Sequence, residues 1–374
     1  MSVLARTAAA LIALAGAGAP ARVEAHHDRA REHARKVVQV VFVLDTTGSM
    51  APLIEGAKRK IWSIATAIVD QNPEAEVQMG LVAYRDVGDE YVTRTVPLTT
   101  DIQGLYGELL EFKARGGGDW PESVNEALFL AVTKTGWSAD PAADRIVFLV
   151  GDAPPHMNDP QDRTYGESLE YARKRGVVVN AVQAGAARDT ERVWRTIAQL
   201  GNGRYIPIPQ DGGQVLVVDT PFDREIIELQ IEINRTVVPY GSPQRQGAVR
   251  SKAEGVRSAP AAVATDMAGY MSKAGKGRAA VTGEGDLVAD VAAGRDLAAV
   301  REEDLPEEFR RLTPAERQAD LDARRQLRER LAARMGDLVR KRDAVLARAA
   351  AATPAKPDSF DAAVKDTLRG QIKR

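Results

Sequence analysis

The 374-residue chain has no cysteine, which excludes disulfides, thiolate nucleophiles, thiolate-held metals and a lipid-anchored cysteine. Aromatic residues make up only 5% of it, so any tightly packed core is confined to part of the length. Histidines number four, and three of them, His26, His27 and His33, stand near the amino terminus. Neither sign of charge is in excess: 51 Lys and Arg face 52 Asp and Glu, for a net charge of -1. That balance argues against the basic surface of a general nucleic-acid binder. Long apolar runs free of charge are missing after residue 25, so no membrane-spanning helix is expected there.

What is present begins with an export-like segment. A short stretch ending at Arg6 precedes the small-apolar run 7–19, and Val23-Glu24-Ala25 carries small residues at cleavage-type positions. Residues 1–25 therefore read as a signal peptide cut after Ala25, with a periplasmic or secreted destination. The apolar run is shorter than the roughly 20 residues of a spanning helix. Residues 26–36 are charged, lack an apolar period and read as a leader whose histidines have nothing to fix their geometry.

From Val37 onward short apolar runs alternate with amphipathic stretches, the pattern of an α/β sheet built from crossover units. Residues 37–44 are almost wholly apolar, as in a central parallel strand buried on both faces. Ile54, Ala57, Ile61, Ile64, Ala65 and Ile68 recur at helical spacing, and Asn72-Pro73 stops that helix. Strands are expected at 77–84 and 91–98 as a hairpin around Asp86-Val87-Gly88-Asp89, then at 145–150, 177–183 and 204–208. Helices are expected at 101–113, 121–134, 163–175, 190–200 and 221–235. The result is a doubly wound, mostly parallel six-stranded sheet over 37–236, with ligands expected at its carboxyl edge.

Residues 237–260 are rich in turn formers and read as a linker. Residues 261–351 read as a helical region whose first part is interrupted by glycines. Thr313-Pro314-Ala315-Glu316 supplies an N-cap, a first-turn proline and a capping-box glutamate for a long helix over 314–351. Leu327, Leu331, Met335, Leu338, Val345 and Leu346 give it an apolar stripe, but Arg324, Arg334 and Lys341 break any heptad seam. Packing back on a neighbour is expected rather than self-pairing. Residues 352–374 read as a frayed tail.

The chemistry-bearing stretch is Asp45-Thr46-Thr47-Gly48-Ser49, where the first strand meets the first helix. An acid followed by hydroxyls at every second residue lets three oxygens converge from one loop, and hard divalent cations take oxygen ligands. Gly48 would let the loop bend. Two simpler readings stay open: Ser49 as an ordinary N-cap, and Asp45 as an acceptor of backbone hydrogen bonds. A strand ending in Asp-x-Thr-x-Ser, a Gly-rich loop opening a helix about 70 residues later, and a strand ending in Gly151-Asp152 occur in that order. Together they resemble the metal-ion-dependent adhesion site of von Willebrand factor A domains.

The resemblance covers about 200 of the 374 residues. It implies that Asp45, Thr47, Ser49 and Asp152 ligate a divalent metal, Mg²⁺ first and Ca²⁺ or Mn²⁺ as alternatives. Thr47 stands where the family more often has Ser. The Gly-rich loop departs from the family, which commonly places a Thr there. Gly116-Gly117-Gly118-Asp119-Trp120-Pro121-Glu122 resembles instead the Gly-Gly-Gly-Asp-x-Pro-Glu variant of its bacterial and kinase-associated branch. Asp119 is a fifth metal ligand, direct or through water, or with Glu122 a capping box for the next helix, or both; Glu122 and Gly48 are also candidates for contacts around the metal. A third carboxylate on the metal would reduce its demand for a partner's carboxylate. His156 is either a hydrogen-bond donor to a metal-bound carboxylate or a surface loop residue. Trp120 is either a partner contact or a lid over the loop.

The implied activity is recognition of a protein or cell-envelope component through the metal edge, without nucleic acid and without catalysis. A metal-dependent hydrolase and a scaffold with a purely structural metal are the alternatives. The hydrolase needs a nucleophile or base near an open metal position, and no nucleophile-elbow, phosphate-loop or zinc-protease pattern occurs.

Overall fold

The computed structural model describes residues 36–158, 163–213, 218–274, 283, 285–352 and 359–373. The expected signal segment 1–25, its cleavage point and all of the leader but Lys36 lie outside the described residues.

Six strands form one sheet: β1 (Val37–Asp45), β2 (Glu76–Tyr84), β3 (Thr93–Thr99), β4 (Asp144–Gly151), β5 (Val177–Ala184) and β6 (Asn202–Ile208). Their order is β3-β2-β1-β4-β5-β6, all parallel except β3, which runs antiparallel to β2 as the hairpin reading expects. Strand β1 is buried almost throughout because both its faces are covered. Val38, Val40, Phe42 and Leu44 point into one apolar cluster and Val41 and Val43 into the other, the period-two alternation of a strand. Phe42 stacks on Phe148 of β4 with ring centroids 5.4 Å apart.

Helices α1 (Ala51–Gln71) and α2 (Ile102–Glu111) lie on the first face, and α3 (Val124–Thr133), α4 (Tyr165–Lys174) and α5 (Arg188–Leu200) on the second. Ile54, Ala57, Ile61, Ile64, Ala65 and Ile68 are all buried, so the helical period reads α1 correctly. Chain order reverses between β1 and β4, and in open α/β sheets the crevice at the carboxyl ends of such a strand pair takes the ligand. Asp45 closes β1 and Asp152 follows β4, so both stand at that crevice.

The carboxyl-terminal third holds the expected helical region but departs from the expected linker and frayed tail. Within the expected linker 237–260, residues Pro243–Ser258 form helix α7, with Ser242 accepting from the Arg245 backbone and Pro243 in the first turn. Its apolar positions Val249 and Val256 are two turns apart, too sparse to register as a period. The expected tail 352–374 contains helix α12 (Phe360–Gln371). Phe360, Val364, Leu368 and Ile372 recur every fourth residue and are buried against the first sheet face, with Phe360 edge-on to Phe42 at 6.4 Å. Asn180 and Gln371 exchange side-chain hydrogen bonds at 2.9 and 2.7 Å.

Helix α6 (Asp223–Arg235) exists as expected, with Ile227 and Ile231 packed against the first-face cluster. Its buried face, Ile226, Leu229 and Ile233, joins a separate cluster with α8 (Ala261–Lys273) and α11 (Pro314–Ala352). Two short helices, α9 (Leu287–Ala292) and α10 (Glu307–Arg310), lie between those two. The capping box of α11 is present: the Thr313 backbone donates to Glu316 at 2.8 Å and the Glu316 backbone to Thr313 Oγ1 at 3.3 Å. The buried stripe of α11 is Leu321, Arg328, Met335, Leu338, Val339 and Arg342, and Leu327 of the expected stripe is exposed. Arginine takes inward positions because acids await it. Arg328 meets the fully buried Asp286 at 2.6 Å, and Arg342 meets Asp223 at 3.1 Å and Asp266 at 2.8 Å.

Candidate functional site at the carboxyl edge of the sheet

The loop after β1 runs into a 3₁₀ turn, Gly48–Met50, before α1. Neither Thr47 nor Ser49 caps the helix: Met50 holds the N-cap position of α1, and no side chain bonds there. Asp45 Oδ1 accepts from the Thr47 backbone at 2.8 Å and from Thr47 Oγ1 at 2.6 Å, and Thr47 Oγ1 stands 3.3 Å from Ser49 Oγ. Asp45 Oδ2 is buried and has no hydrogen-bond partner. A carboxylate oxygen removed from water and left unpaired costs free energy. The backbone-acceptor reading of Asp45 therefore accounts for one oxygen and leaves the other without a role.

Gly48 does not supply the bend expected of it. Its φ is not positive, and a Cβ there would reach only ordinary contact with the Gly116 carbonyl at 3.4 Å. The left-handed residues are Gly116 and Gly117, at φ 80° and 82°. The Gly48 backbone donates to the Gly116 carbonyl at 3.1 Å and the Arg115 backbone to the Thr46 carbonyl at 3.0 Å, stitching the Gly-rich loop to the first. At Gly117 a Cβ would come within 3.3 Å of both Thr47 Cβ and Glu122 Oε1, which places the Glu122 carboxyl beside the Thr47 loop.

Glu122 therefore belongs to the cradle, and the capping box expected for Asp119 and Glu122 does not form. Helix α3 starts at Val124 with Ser123 at its N-cap and no side-chain cap. Upstream, Glu122 pairs like a short strand with the chain after β4: its backbone donates to Pro154 at 2.9 Å and its carbonyl accepts from His156 at 3.2 Å. Its side chain is turned inward, and Glu122 Oε2 is a second buried oxygen without a partner.

Asp152 completes the group. Its carbonyl accepts from Thr190 Oγ1 at 2.9 Å, and its Oδ2 accepts from Gln210 Nε2 at 2.7 Å. Gly151 lets this strand end approach β1, since a Cβ there would strike Tyr84 Oη and lie 3.2 Å from Asp45 Cβ. Gln210, Thr190 and Tyr84 were not singled out by sequence. Each comes from a different element and meets Asp152 or Asp45 only through the fold.

So many acids in one buried place repel one another. Burial, then the Asp152 charge, raise the Asp45 carboxyl to about 7 against the lowering effect of the Thr47 hydrogen bonds. Burial raises Glu122 to about 9, helped by Asp45, Asp86, Asp152 and Asp89. Tyr84 is held well above its usual range by burial and the same carboxylates.

Asp119 and His156 are brought together with Asp86. Asp119 is exposed, and its carboxylate, that of Asp86 and an imidazole nitrogen of His156 lie within 4.8 Å of one another. His156 Nε2 is 2.6 Å from Asp86 Oδ1. Sequence reading took Asp86 only as a turn former, although it follows β2 at the same carboxyl rim. Trp120 is 48% exposed and donates its indole N–H to Asp189 Oδ2 at 2.6 Å, so its ring is fixed across the start of α5 rather than closed over the Thr47 loop. Val87, 69% exposed, and Met157, 54% exposed, also lie at this edge.

Residues 39–219 match the family model described as von Willebrand factor A domain. Von Willebrand factor A domain-containing protein 7 of Mus musculus is 38% identical over 189 residues, covering 50% of this chain and 19% of that protein. Alpha-protein kinase vwkA of Dictyostelium discoideum is 30% identical over 125 residues, covering 33% of this chain and 19% of that protein. The chain thus spans about a fifth of the length of these relatives. Among solved structures, the conserved hypothetical protein BatB of Bacteroides thetaiotaomicron is similar with 16% identity and a TM-score of 0.36, over 59% of this chain and 100% of that one.

Proposed function

Since the chain carries a von Willebrand factor A domain, we propose that it is an exported binding protein. In this reading it holds a divalent cation, Mg²⁺ first, at the carboxyl edge of the sheet and recognises a protein or cell-envelope component there. The observation that carries the proposal is the pair of buried, unpartnered carboxylate oxygens, Asp45 Oδ2 and Glu122 Oε2, among acids that raise one another. Carboxylate and hydroxyl oxygens are the donors that Mg²⁺, Ca²⁺ and Mn²⁺ take. The residues present fit such an ion: Asp45, Thr47, Ser49 and Asp152 would hold it, with Glu122 beside them.

A bound cation supplies positive charge that offsets the clustered carboxylates and an open coordination position for an oxygen of the partner. The chain's own groups do the rest. Thr47 fixes Asp45 Oδ1, Gln210 and Thr190 fix Asp152, and Ser49 stays exposed at the entrance. Val87, Trp120 and Met157 offer exposed apolar surface around it, the residue types that anchor interfaces when rimmed by polar groups.

We favour binding over catalysis because the sequence has no cysteine nucleophile and no nucleophile-elbow, phosphate-loop or zinc-protease pattern. Among the described residues no helix is long and apolar enough to cross a membrane. Titration calorimetry with Mg²⁺ on the full chain and on Asp45→Ala tests the proposal. Uptake by the wild type and none by the variant is expected, with partner capture from the cell envelope lost both in chelator and in the variant. A variant that takes up Mg²⁺ as the wild type does would overturn it.

A further inference from the structure

We propose that Asp86, Asp119 and His156 form a second cation site, distinct from the Asp45 cradle and suited to Zn²⁺. Two carboxylates and one imidazole make a mixed oxygen and nitrogen donor set, which suits zinc and other first-row ions better than Mg²⁺. Their ligand atoms already lie within 4.8 Å of one another. Ligands about 2.0–2.2 Å from a tetrahedral zinc are separated by roughly 3.3–3.6 Å, within reach of small side-chain rotations.

Burial is graded across the three: Asp86 is buried, His156 half-buried and Asp119 exposed, so the group is anchored inside and open to solvent on one side. The residues come from three separate loops, after β2, before α3 and after β4. Those loops are tied by the Glu122 pairing to Pro154 and His156 and by the Ser123 backbone donating to the Arg85 carbonyl at 3.1 Å.

The His156 to Asp86 contact at 2.6 Å holds a proton between nitrogen and oxygen, and zinc would take the place of that proton. Three protein ligands leave the fourth position to an oxygen from solvent.

The ring nitrogen resonances of His156 in the full chain, assigned by their loss in His156→Asn, give a direct readout. Zn²⁺ is added in excess Mg²⁺, which keeps the Asp45 cradle filled. Stoichiometric shifts of the His156 ring nitrogens are expected in the wild type and equally in Asp45→Ala. Zinc affinity read from the same signal should fall at least tenfold in Asp86→Asn, and likewise in Asp119→Asn, whose exposed side chain makes misfolding an inadequate explanation. Ring signals unmoved by several equivalents of Zn²⁺ would overturn the proposal. So would shifts that survive both Asp86→Asn and Asp119→Asn, or that vanish in Asp45→Ala. Magnesium uptake at Asp45 is measured separately, so either site can fail alone.

Discussion

A carboxylate in a protein interior is tolerated when something positive or hydrogen-bonding faces each of its oxygens. Asp45 meets that requirement at Oδ1 and Glu122 Oε2 meets no partner, which gives the metal-free protein a definite pH response. Both carboxyls are raised on folding, to about 7 and about 9, so the folded chain holds protons that the unfolded chain would release. Their contribution to stability is complete below the ordinary carboxylate range and is lost as pH rises through those two values. Melting temperatures in chelator should therefore fall from about pH 5 to about pH 9. Saturating Mg²⁺ should restore more at the alkaline end, because the ion binds the deprotonated forms. A chelated protein whose melting temperature stays level across that range contradicts this. At this scale the sequence was informative where the proposed ligands lie in one short string: Asp45, Thr47 and Ser49 sit within five residues, and Asp152 directly follows a strand. It was silent on Gln210 and left Glu122 between a helix cap and a contact around the metal, because the partner of a side chain on a returning loop depends on where that loop comes back.

Elements are held in register at the site by close approaches. Gly151 is one of them: with any side chain there, β4 collides with the Tyr84 hydroxyl and crowds Asp45. Gly151→Ala should destabilise the protein by about 1–3 kcal/mol through overpacking and weaken Mg²⁺ uptake. Gly107, inside α2 with nothing within 4 Å of an added Cβ, is the control. Gly107→Ala should stabilise by about 0.5–1 kcal/mol through helix propensity alone. Urea denaturation of both variants checks the pair, and equal losses in the two would refute the packing argument. Strands and helices of the sheet region were legible because each shows its burial as a local period, two-sided in β1 and helical in α1. Helix α7 was not, since Val249 and Val256 are its only strongly buried apolar side chains and turn formers flank it. Helix α12 carries a period at Phe360, Val364 and Leu368 that could have been read, but the prolines and lysines nearby obscured it.

Across the whole molecule, the carboxyl-terminal third is part of the body that carries the site. The first sheet face is completed by α12, and the buried ion pairs of Arg328 and Arg342 tie α11 to the segments around Asp286, Asp223 and Asp266. Phe360→Ala should cost about 3–5 kcal/mol, the range for emptying a buried aromatic position, and equilibrium denaturation would read it. A cost near zero would mean that the last helix is not docked in solution. This architecture escaped sequence reading for a physical reason: a helix returning from over a hundred residues away leaves its mark on the sheet only as Phe42 and neighbours that need cover. The central claim, that the carboxyl edge of this sheet is a cation cradle, is tested most directly by anomalous diffraction from crystals of the chain soaked in Mn²⁺. A peak bonded to Asp45, Ser49 and Asp152 oxygens is predicted. The absence of any peak there, with Asp45 Oδ2 still lacking a partner, would contradict it.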